Sequence, residues 1–210
     1  MTETQGKILD TAERLFGAQG YDGTSLRQII AEAGVNLAAI HYHFGTKEEL
    51  LDQLVMRKVG PVNEERLALL DRYEAEAGSG PVPVEKLLQA FLEPPLRRIK
   101  QNPDFAKVMG RLYAEGIMPA IAAKHFQTVI ARFTAAFGRA LPHLNAPELS
   151  LRLHFVVGAM AHTMLCALLV SIPGWEFPAD GALLMRELTA FASAGLHARV
   201  AASENSEGNR

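Results

Sequence analysis

The sequence predicts an all-α protein. Apolar residues recur at helical spacing over most of the chain, and no stretch shows the strict alternation typical of a half-buried strand. Prolines and glycines separate the helical stretches, most clearly in the loop 77–83 with the sequence AGSGPVP. About nine helices are expected, and Gly60-Pro61 should break or kink the fourth. The helical stretches are 5–18, 24–33, 36–44, 47–59 with the pattern resuming over 63–76, 84–100, 104–115, 119–140, 147–171 and 180–201.

The first two helices each show an apolar face at helical spacing. In the helix over 5–18 this face consists of Ile8, Ala12, Leu15 and Phe16. In the helix over 24–33 it consists of Leu26, Ile29, Ile30 and Ala33. The segment 20–23, with the sequence GYDG, supplies the turn residues that separate the two helices.

A tight turn and a third helix follow. Gly34 can adopt the left-handed backbone that a sharp turn requires, and Asn36 is a suitable N-cap for the next helix. Thr46 and Glu49 have the spacing of a capping box, which starts the fourth helix. The inward residues of the third helix are Ala39, Ile40 and Phe44. This layout is that of a helix-turn-helix, whose second helix enters the major groove of DNA.

Eight residues of this segment are candidates for DNA contact. Leu37, Ala38 and Tyr42 face outward from the third helix and suit base edges or thymine methyl groups. Lys47 lies in the first turn of a helix, where free N–H groups favour a phosphate. The full set is Thr24, Arg27, Leu37, Ala38, His41, Tyr42, His43 and Lys47. A packing role is an equal alternative for the two histidines.

The charge balance predicts modest non-specific affinity for DNA. The net charge is −2, and residues 1–58 hold six Lys/Arg against eight Asp/Glu. Between Thr24 and Lys47 the cations are Arg27 and Lys47, and the single anion is Glu32. We therefore expect specificity to come from a small docked surface. The acidic count leaves open an alternative, a ligand-binding or adaptor protein that keeps the helix-turn-helix as a scaffold.

The segment from Ile8 to Leu50 resembles the DNA-binding domain of the tetracycline-repressor (TetR) family of transcriptional regulators. The resemblance rests on ILDTAERLFGAQGYDGTSLRQIIAEAGV, on the HYHF that ends the third helix and on GTKEEL, and it covers about a fifth of the chain. The family usually carries a leucine-tyrosine pair where this chain has Ile40-His41. The backbone contact of that tyrosine would fall to His41 or Tyr42 here.

The resemblance implies a homodimer that binds a near-palindromic operator and mostly represses transcription. It also implies that a small molecule in the C-terminal domain releases the protein from DNA. On this basis residues 1–48 form the DNA-binding domain and residues 49–202 form a helical effector-binding and dimerisation domain. Residues 203–210 are polar and are expected to be a disordered tail.

The last two helices are the candidates for a dimer interface, because small residues on a stripe permit close approach of helices. In the first, the candidates are Gly158, Ala161, Met164, Leu165 and Leu168. In the second, they are Leu184, Leu188 and Phe191. The alternative for both stripes is a core within one chain.

A mostly apolar cavity with a few polar groups is expected in the C-terminal domain, and it suits a small hydrophobic or amphipathic effector. The apolar candidates are Phe91, Phe105, Met109, Leu112, Tyr113, Met118 and Phe126. The polar candidates are Arg111, His125 and His162, with Glu115 and His154 as further possibilities. Arg111 and Glu115 are four residues apart and alternatively pair with each other.

Membrane and metal sites are not expected. Residues 153–172 have about the length of a membrane span, but His154 and His162 interrupt them, so a buried helix is favoured. The N-terminus is polar, unlike a signal peptide, and a single cysteine, Cys166, suits a reducing cytoplasm. His162 and Cys166 share a helix face, but two ligands do not make a metal site.

No arrangement of nucleophile and base, and no phosphate-binding loop, indicates catalysis. An enzyme that uses His125, His154 or His162 as acid or base is the alternative from that class. We predict a cytoplasmic, ligand-responsive DNA-binding regulator without a cofactor or a metal. Its expected partners are operator DNA, a small-molecule effector and a second copy of the chain.

Overall fold

The computed structural model of the chain describes residues 2–36, 42–99, 102–169, 171–172, 175–176 and 180–199, without the side chains of 99, 103, 106, 165–169, 171–172 and 175–176. In this part of the chain there are nine helices, and the all-α prediction is confirmed. They are α1 Glu3–Gln19, α2 Leu26–Ala33, α3 Lys47–Ala77, α4 Val84–Ile99, α5 Pro103–Ala114, α6 Met118–His125, α7 Gln127–Ala140, α8 Ala146–Leu169 and α9 Gly181–His197. Two two-residue strands, β1 Ser171–Ile172 and β2 Trp175–Glu176, pair antiparallel between α8 and α9.

The first two helices begin at side-chain caps. Thr2 and Gln5 form a capping box, in which the Gln5 N–H donates to Thr2 Oγ1 at 3.2 Å and the Thr2 N–H donates to Gln5 Oε1 at 2.8 Å. Ser25 caps α2 by accepting the Gln28 N–H at 3.2 Å. Gly34 follows α2 at φ +65°, the left-handed conformation that the turn was predicted to need.

α3 runs without interruption from Lys47 to Ala77, so the predicted break at Gly60-Pro61 is wrong. A proline inside a helix removes a hydrogen bond and costs about 3 kcal/mol. Part of the clash falls on the Cβ of the preceding residue, which Gly60 lacks. Val59 and Val62 flank the proline and are buried, and their burial offsets the lost hydrogen bond.

The predicted single helix over 119–140 is two helices, α6 and α7, joined at Phe126. The carbonyl of His125, which in a continuous helix would accept the amide of Val129, instead accepts the side-chain amide of Asn63 at 2.9 Å. The His125 ring also contacts Asp52. Both partners lie on α3, more than sixty residues away, so no local pattern could have predicted the division.

Two groups of buried apolar residues hold the helices together. The N-terminal core joins α1, α2 and the first half of α3 to α5, and it includes Ile8, Phe16, Ile29, Leu54, Val108 and Leu112. The C-terminal core joins the second half of α3 to α4, α7, α8 and α9, and it includes Leu70, Leu87, Phe133, Phe137, Val156 and Leu188. α5 therefore lies in the C-terminal part of the chain but packs with the N-terminal helices.

The C-terminal end differs in detail from the prediction. α9 ends at His197, because Ala198 takes an extended conformation with ψ 133°. The predicted tail, 203–210, lies outside the described residues. None of the helices in the described ranges has both the length and the hydropathy of a membrane span, and 153–169 form the later part of α8.

Candidate DNA-binding surface and effector cavity

The structure describes only part of the predicted third helix, 36–44, which we call the recognition segment. Leu37, Ala38 and His41 lie outside the described residues, whereas Tyr42 and His43 lie inside them. The Tyr42 side chain is 85% exposed, and its ring centroid lies 4.9 Å from that of His43. The next residue, Phe44, is buried in the N-terminal core. A buried anchor thus holds the segment while Tyr42 stays accessible to a partner.

The two candidates at the start of α2 differ in accessibility. Arg27 is exposed in the first turn of the helix. Thr24 is only 2% exposed, and its hydroxyl donates to the Gly20 carbonyl at 2.8 Å. The prediction of a DNA contact is therefore wrong for the Thr24 side chain, which instead holds the loop between α1 and α2.

Lys47 lies at the N-terminus of α3, with its ammonium 4.0 Å from the centroid of the Tyr21 ring. This cation–π contact orients the ammonium without neutralising it. The Glu49 N–H donates to Thr46 Oγ1 at 3.1 Å and the Thr46 N–H donates to Glu49 Oε2 at 2.8 Å, so the predicted capping box is present. Since Glu48 and Glu49 also carry carboxylates at this helix end, attraction of a phosphate here depends on the ammonium.

The Tyr21 hydroxyl contributes to the same helix end. Burial and a hydrogen bond to Glu48 raise the pKa of Tyr21, so the ring under Lys47 remains neutral. A hydrogen bond from its own backbone N–H and the one from Tyr21 lower the pKa of Glu48. The first turn of α3 is therefore a fixed arrangement of charges beside the recognition segment.

A cavity of about 760 Å³ lies between α3, α4, α5, α6, α7 and α8. Its volume is within the ~300–1,000 Å³ typical of small-molecule sites. Most of its wall is formed by apolar side chains. Seven of the predicted residues line it, namely Phe91, Phe105, Met109, Tyr113, Met118, Phe126 and His154. The structure thus brings together residues that the sequence separates by up to 63 positions, from 91 to 154.

Three predicted pocket residues lie away from this wall. Leu112 is fully buried in the N-terminal core. The side chain of His125 is 3% exposed and is bound to Asp52. His162 is exposed on α8 and does not line the cavity. The physical reason is that a helix presents only one face to a cavity, and these side chains project from other faces.

The side chains of Arg111 and Glu115 contact the end of α1 and the loop after it; neither residue lines the cavity, and the two side chains form no ion pair with each other. Arg111 Nη2 donates to the carbonyl of Ala18 at 3.3 Å, and Glu115 accepts the backbone N–H of Tyr21 at 2.9 Å. Both predicted alternatives, ligand contact and mutual pairing, are therefore wrong. These two residues instead fasten α5 to the segment that connects α1 and α2.

The main polar group of the cavity, Arg66, was not among the predicted residues. It lies on α3, lines the cavity and is 2% exposed. Its Nε donates to the Phe91 carbonyl at 2.8 Å, and its Nη1 donates to Asn63 Oδ1 at 3.1 Å. A signal was present in the sequence, because Arg66 occupies the same helical stripe as the apolar Val59, Val62 and Leu70.

Two family models match the chain. The model described as "Bacterial regulatory proteins, tetR family" matches residues 8–54. The model described as "Tetracyclin repressor-like, C-terminal domain" matches residues 89–195, about half of the chain. The chain belongs to the TetR family. It is therefore a transcriptional regulator with a DNA-binding domain, and the enzyme alternative is wrong.

Curated relatives of this TetR-family regulator match it over short segments. The HTH-type transcriptional regulator LmrA of Bacillus subtilis (strain 168) is 48% identical over 54 residues, 25% of this chain and 29% of LmrA. IcaR of Staphylococcus aureus (strain Newman), the negative transcriptional regulator of the biofilm operon icaADBC, is 41% identical over 49 residues, 23% of this chain and 26% of IcaR. The chain thus aligns with less than a third of the length of either relative.

The fold likeness extends much further than the sequence identity. The crystal structure of a TetR-family transcription regulator from Shewanella sp. PV-4 superposes with a TM-score of 0.63. The match covers 93% of this chain and 96% of the other, at 18% identity. The TetR fold therefore accounts for nearly the whole chain.

The predicted dimer stripes of this TetR-family chain lie in different environments. Three of the predicted interface residues face the interior of the chain. Ala161 and Met164 line the cavity, and Leu188 is 8% exposed in the C-terminal core. Those with an accessible surface are Phe191, which is 72% exposed, and the partly exposed Gly158 and Leu184. The side chains of Leu165 and Leu168 lie outside the described residues.

A different set of apolar side chains faces outward on α8 and α9. Leu151 is 57% exposed, Phe155 is 63% exposed and Phe191 is 72% exposed. Phe155 and Phe191 also line one shallow groove, together with Gly195. We call Leu151, Phe155 and Phe191 the outer patch. The two outer-patch residues on α8, Leu151 and Phe155, are not among the residues of the predicted stripe.

Metal-ligating side chains do not gather in the described residues. No group of three or more His, Cys, Asp or Glu there has the geometry to hold a metal ion. The side chain of Cys166, considered above beside His162, lies outside the described part of the chain.

Proposed function

We propose that the chain is a cytoplasmic repressor that binds a near-palindromic operator as a homodimer. A small hydrophobic or amphipathic effector enters the cavity and releases the protein from DNA. Residues 1–48 bind DNA, and residues 49–202 bind the effector and dimerise. The observation that carries this proposal is that one helix, α5, forms both a wall of the cavity and a part of the N-terminal core.

The two faces of α5 have different neighbours. Phe105, Met109 and Tyr113 line the cavity, whereas Val108 and Leu112 are fully buried against the N-terminal helices. α5 approaches α1 closely at Gly17 of α1, where an added Cβ would lie 3.3 Å from the carbonyl oxygen of Asp104 on α5. Close-packed elements move as units, so a ligand that displaces α5 displaces α1 with it.

A second connection runs along α3. This helix begins with Lys47 beside the recognition segment and reaches the cavity at Val59, Val62 and Arg66. α6, whose Met118 lines the cavity, is held to α3 by the hydrogen bond between the His125 carbonyl and Asn63. Both helices that support the DNA-binding segment, α1 and α3, are therefore in contact with elements of the cavity wall.

The release mechanism is a shift between two conformations. In one, the recognition helices of a dimer fit successive major grooves, about 34 Å apart. In the other, α1 and α3 have moved with the cavity wall and that spacing is lost. The effector shifts this equilibrium only by its difference in affinity for the two conformations.

The outer patch supports a dimer. Exposed aromatic side chains are enriched at the centres of protein interfaces. Phe155 and Phe191 are adjacent on α8 and α9, and a two-fold axis at this face would bury both from each protomer. Four helices, two from each chain, would then form the interface.

The DNA-contacting residues are proposed from exposure and position. Arg27 and Tyr42 are exposed, and His43 and Lys47 are partly exposed. Leu37, Ala38 and His41 remain candidates by sequence position. Repression, as opposed to activation, is proposed because the relative IcaR is a negative regulator.

Binding of the full-length protein to DNA tests the proposal. Genomic fragments enriched by the protein are compared with random DNA by fluorescence anisotropy at two salt concentrations. We expect a preference of at least about a thousandfold for the enriched fragment and a footprint with two-fold symmetry. Equal affinity for both DNAs, with strong salt dependence, would contradict the proposal and support the scaffold alternative.

A further inference from the structure

The charged side chains that line the cavity are all cations. Four of the described lining residues are cationic, namely Arg57, Lys58, Arg66 and Arg98. None of the described lining residues is Asp or Glu. Three of them have carboxylate partners outside the wall. These ion pairs are Arg57–Asp10 at 2.8 Å, Lys58–Glu13 at 2.8 Å and Arg98–Glu65 at 3.5 Å. The fourth, Arg66, has no ion pair with any described residue and is also the most buried of the four.

The contacts of Arg66 are all with neutral groups in the described part of the chain. Nε and Nη1 donate to the Phe91 carbonyl and to Asn63 Oδ1, and Nη2 lies 3.6 Å from the Met160 sulfur, a weak acceptor. The guanidinium carbon lies 4.4 Å from the centroid of the Phe91 ring. Five N–H groups thus face two good acceptors and one weak one. A buried charge without a counter-ion is costly, and it is usually paired.

One of these contacts has a structural explanation. The Phe91 carbonyl has no helical donor, because the residue four positions later is Pro95. Arg66 Nε satisfies that carbonyl at 2.8 Å. A neutral donor would serve this purpose equally well, so the positive charge of this cavity-lining residue is left unexplained by the fold.

The charge persists at neutral pH. Burial lowers the pKa of Arg66 to about 9, which still leaves the guanidinium protonated at pH 7. A carboxylate that entered the cavity would restore the missing counter-charge and accept two parallel hydrogen bonds from the guanidinium.

We propose that the effector is an amphipathic acid, with a carboxylate bound by the guanidinium of Arg66 and an apolar chain held by the aromatic wall. This inference rests on the proposed function, because it names the ligand class of the same cavity. The apolar part contacts the side chains that line the rest of the wall, such as Phe105, Phe126 and Phe133. Neither part alone satisfies the site, because the wall combines mostly apolar side chains with one deeply buried cation.

Arg66 also connects the acid to the release mechanism. Its Nη1 donates to Asn63 Oδ1, and Asn63 Nδ2 donates to the His125 carbonyl at the end of α6. A carboxylate that competes for the Arg66 Nη groups therefore acts on the hydrogen bonds that hold α6 to α3. The carboxylate is therefore the part of the ligand that acts, through Arg66 and Asn63, on the connection between α6 and α3.

Calorimetric titration of the purified full-length protein tests the ligand class. The probes are straight-chain carboxylic acids, the alcohols of the same length and the amines of the same length, with octyl, dodecyl and hexadecyl chains. We expect the acid to bind at least about tenfold more tightly than the alcohol, and the amine to bind most weakly. Equal affinity of acid and alcohol, or no binding of any acid, would overturn the proposal.

Variants test which cation causes the preference for acid over alcohol. Arg66→Met should abolish the preference for acid over alcohol, whereas Arg98→Met should retain it, because Glu65 already neutralises Arg98. Arg66→Lys keeps the charge without the planar fork and should retain part of the preference. Thermal unfolding reports whether each variant folds. If Arg66→Met does not fold, the proposal is tested by the acid preference of Arg66→Lys and by the comparison of the probes on the wild-type protein. A full preference for acid in a folded Arg66→Met variant would overturn the assignment.

Release from an enriched DNA fragment is measured with the same probes. Acid binding that depends on Arg66 but does not release the DNA would leave this inference standing and contradict the proposed release mechanism. Specific DNA binding by a protein that prefers the alcohol would support the proposed function and overturn this inference.

Discussion

The imidazole Nε2 of His125 lies 2.6 Å from Oδ1 of Asp52. This contact joins the C-terminal end of α6, at the cavity, to the second turn of α3, near the DNA-binding segment. Lys124 pairs with the other carboxylate oxygen at 2.8 Å. Burial opposes ionisation of Asp52, but the hydrogen bonds from Lys124 and His125 outweigh it and lower the pKa of Asp52 below its ordinary 3.8.

Asp52→Asn should reduce the free energy of unfolding at neutral pH by about 1–3 kcal/mol, because the buried His125 ring loses a charged partner. A carboxyl group with a lowered pKa stabilises the fold above its unfolded pKa and loses this effect as pH falls through its folded value. The difference between wild type and variant should therefore be present above pH 3.8 and disappear below it. Urea denaturation as a function of pH measures it.

Asp71→Asn is the matched control for that experiment. Asp71 also lies on α3 and pairs with an arginine, Arg132 at 2.6 Å, but its side chain is 60% exposed. A surface pair of this kind contributes about 0–1 kcal/mol. If the two variants lose the same stability, the His125–Asp52 contact has no special role in holding α6.

Leu112→Ala and Tyr113→Ala should separate the two faces of α5. Leu112 is fully buried in the N-terminal core, and its truncation should cost about 2–5 kcal/mol of unfolding free energy. Tyr113 is 57% exposed on the cavity wall, so its truncation should cost less than about 1 kcal/mol but weaken ligand binding. Chemical denaturation and calorimetry of both variants provide the comparison, and the reverse pattern would contradict the two-faced role of α5.

Lys47→Ala should weaken binding to every DNA sequence and reduce the slope of log affinity against log salt by about one unit. The ammonium remains cationic above the Tyr21 ring and is available to a phosphate. Lys86→Ala is the control, because Lys86 lies on α4 and pairs with Glu76 at 2.7 Å. An unchanged slope for Lys47→Ala would rule out a phosphate contact at this residue.

Tyr42→Ala should alter the choice of DNA sequence without affecting the fold. The side chain is 85% exposed, so stability should change by less than about 0.5 kcal/mol. We expect the preference for the operator over random DNA to fall by about 1 kcal/mol or more. Anisotropy on both DNAs measures this, and an equal loss on both would show that Tyr42 does not read bases.

Phe155→Glu should dissociate the proposed dimer, because a carboxylate would be buried at the two-fold axis proposed for the outer patch. The expected loss is about 2 kcal/mol or more of dimerisation free energy, measured by sedimentation equilibrium. Met56→Glu is the control, since Met56 is also half exposed, at 51%, but lies on α3 away from the patch. A dimer that tolerates Phe155→Glu would place the interface elsewhere.

Part of the candidate site could be derived from local sequence. Thr46 with Glu49 and Gly34 depend on residues within one turn, and the structure has the predicted capping box and the left-handed glycine. The same reasoning chose the cavity residues Phe91 and Met109 from their apolar character. It failed for Thr24, because the local sequence does not show whether a hydroxyl faces solvent or is buried against a carbonyl.

The sequence by itself determined the all-α class and the helix-turn-helix, because helix periodicity, caps and turns arise from side chains a few positions apart. The family followed from the resemblance of the segment from Ile8 to Leu50 to the TetR DNA-binding domain. Only the tertiary structure decided that α3 continues through Pro61, where burial of the flanking side chains offsets the lost hydrogen bond. It also decided that Arg111 and Glu115 bind the end of α1 and the loop after it, and that Arg66 lines the cavity without an ion pair to any described residue. These outcomes depend on partners many tens of residues away, and local spacing carries no information about such partners.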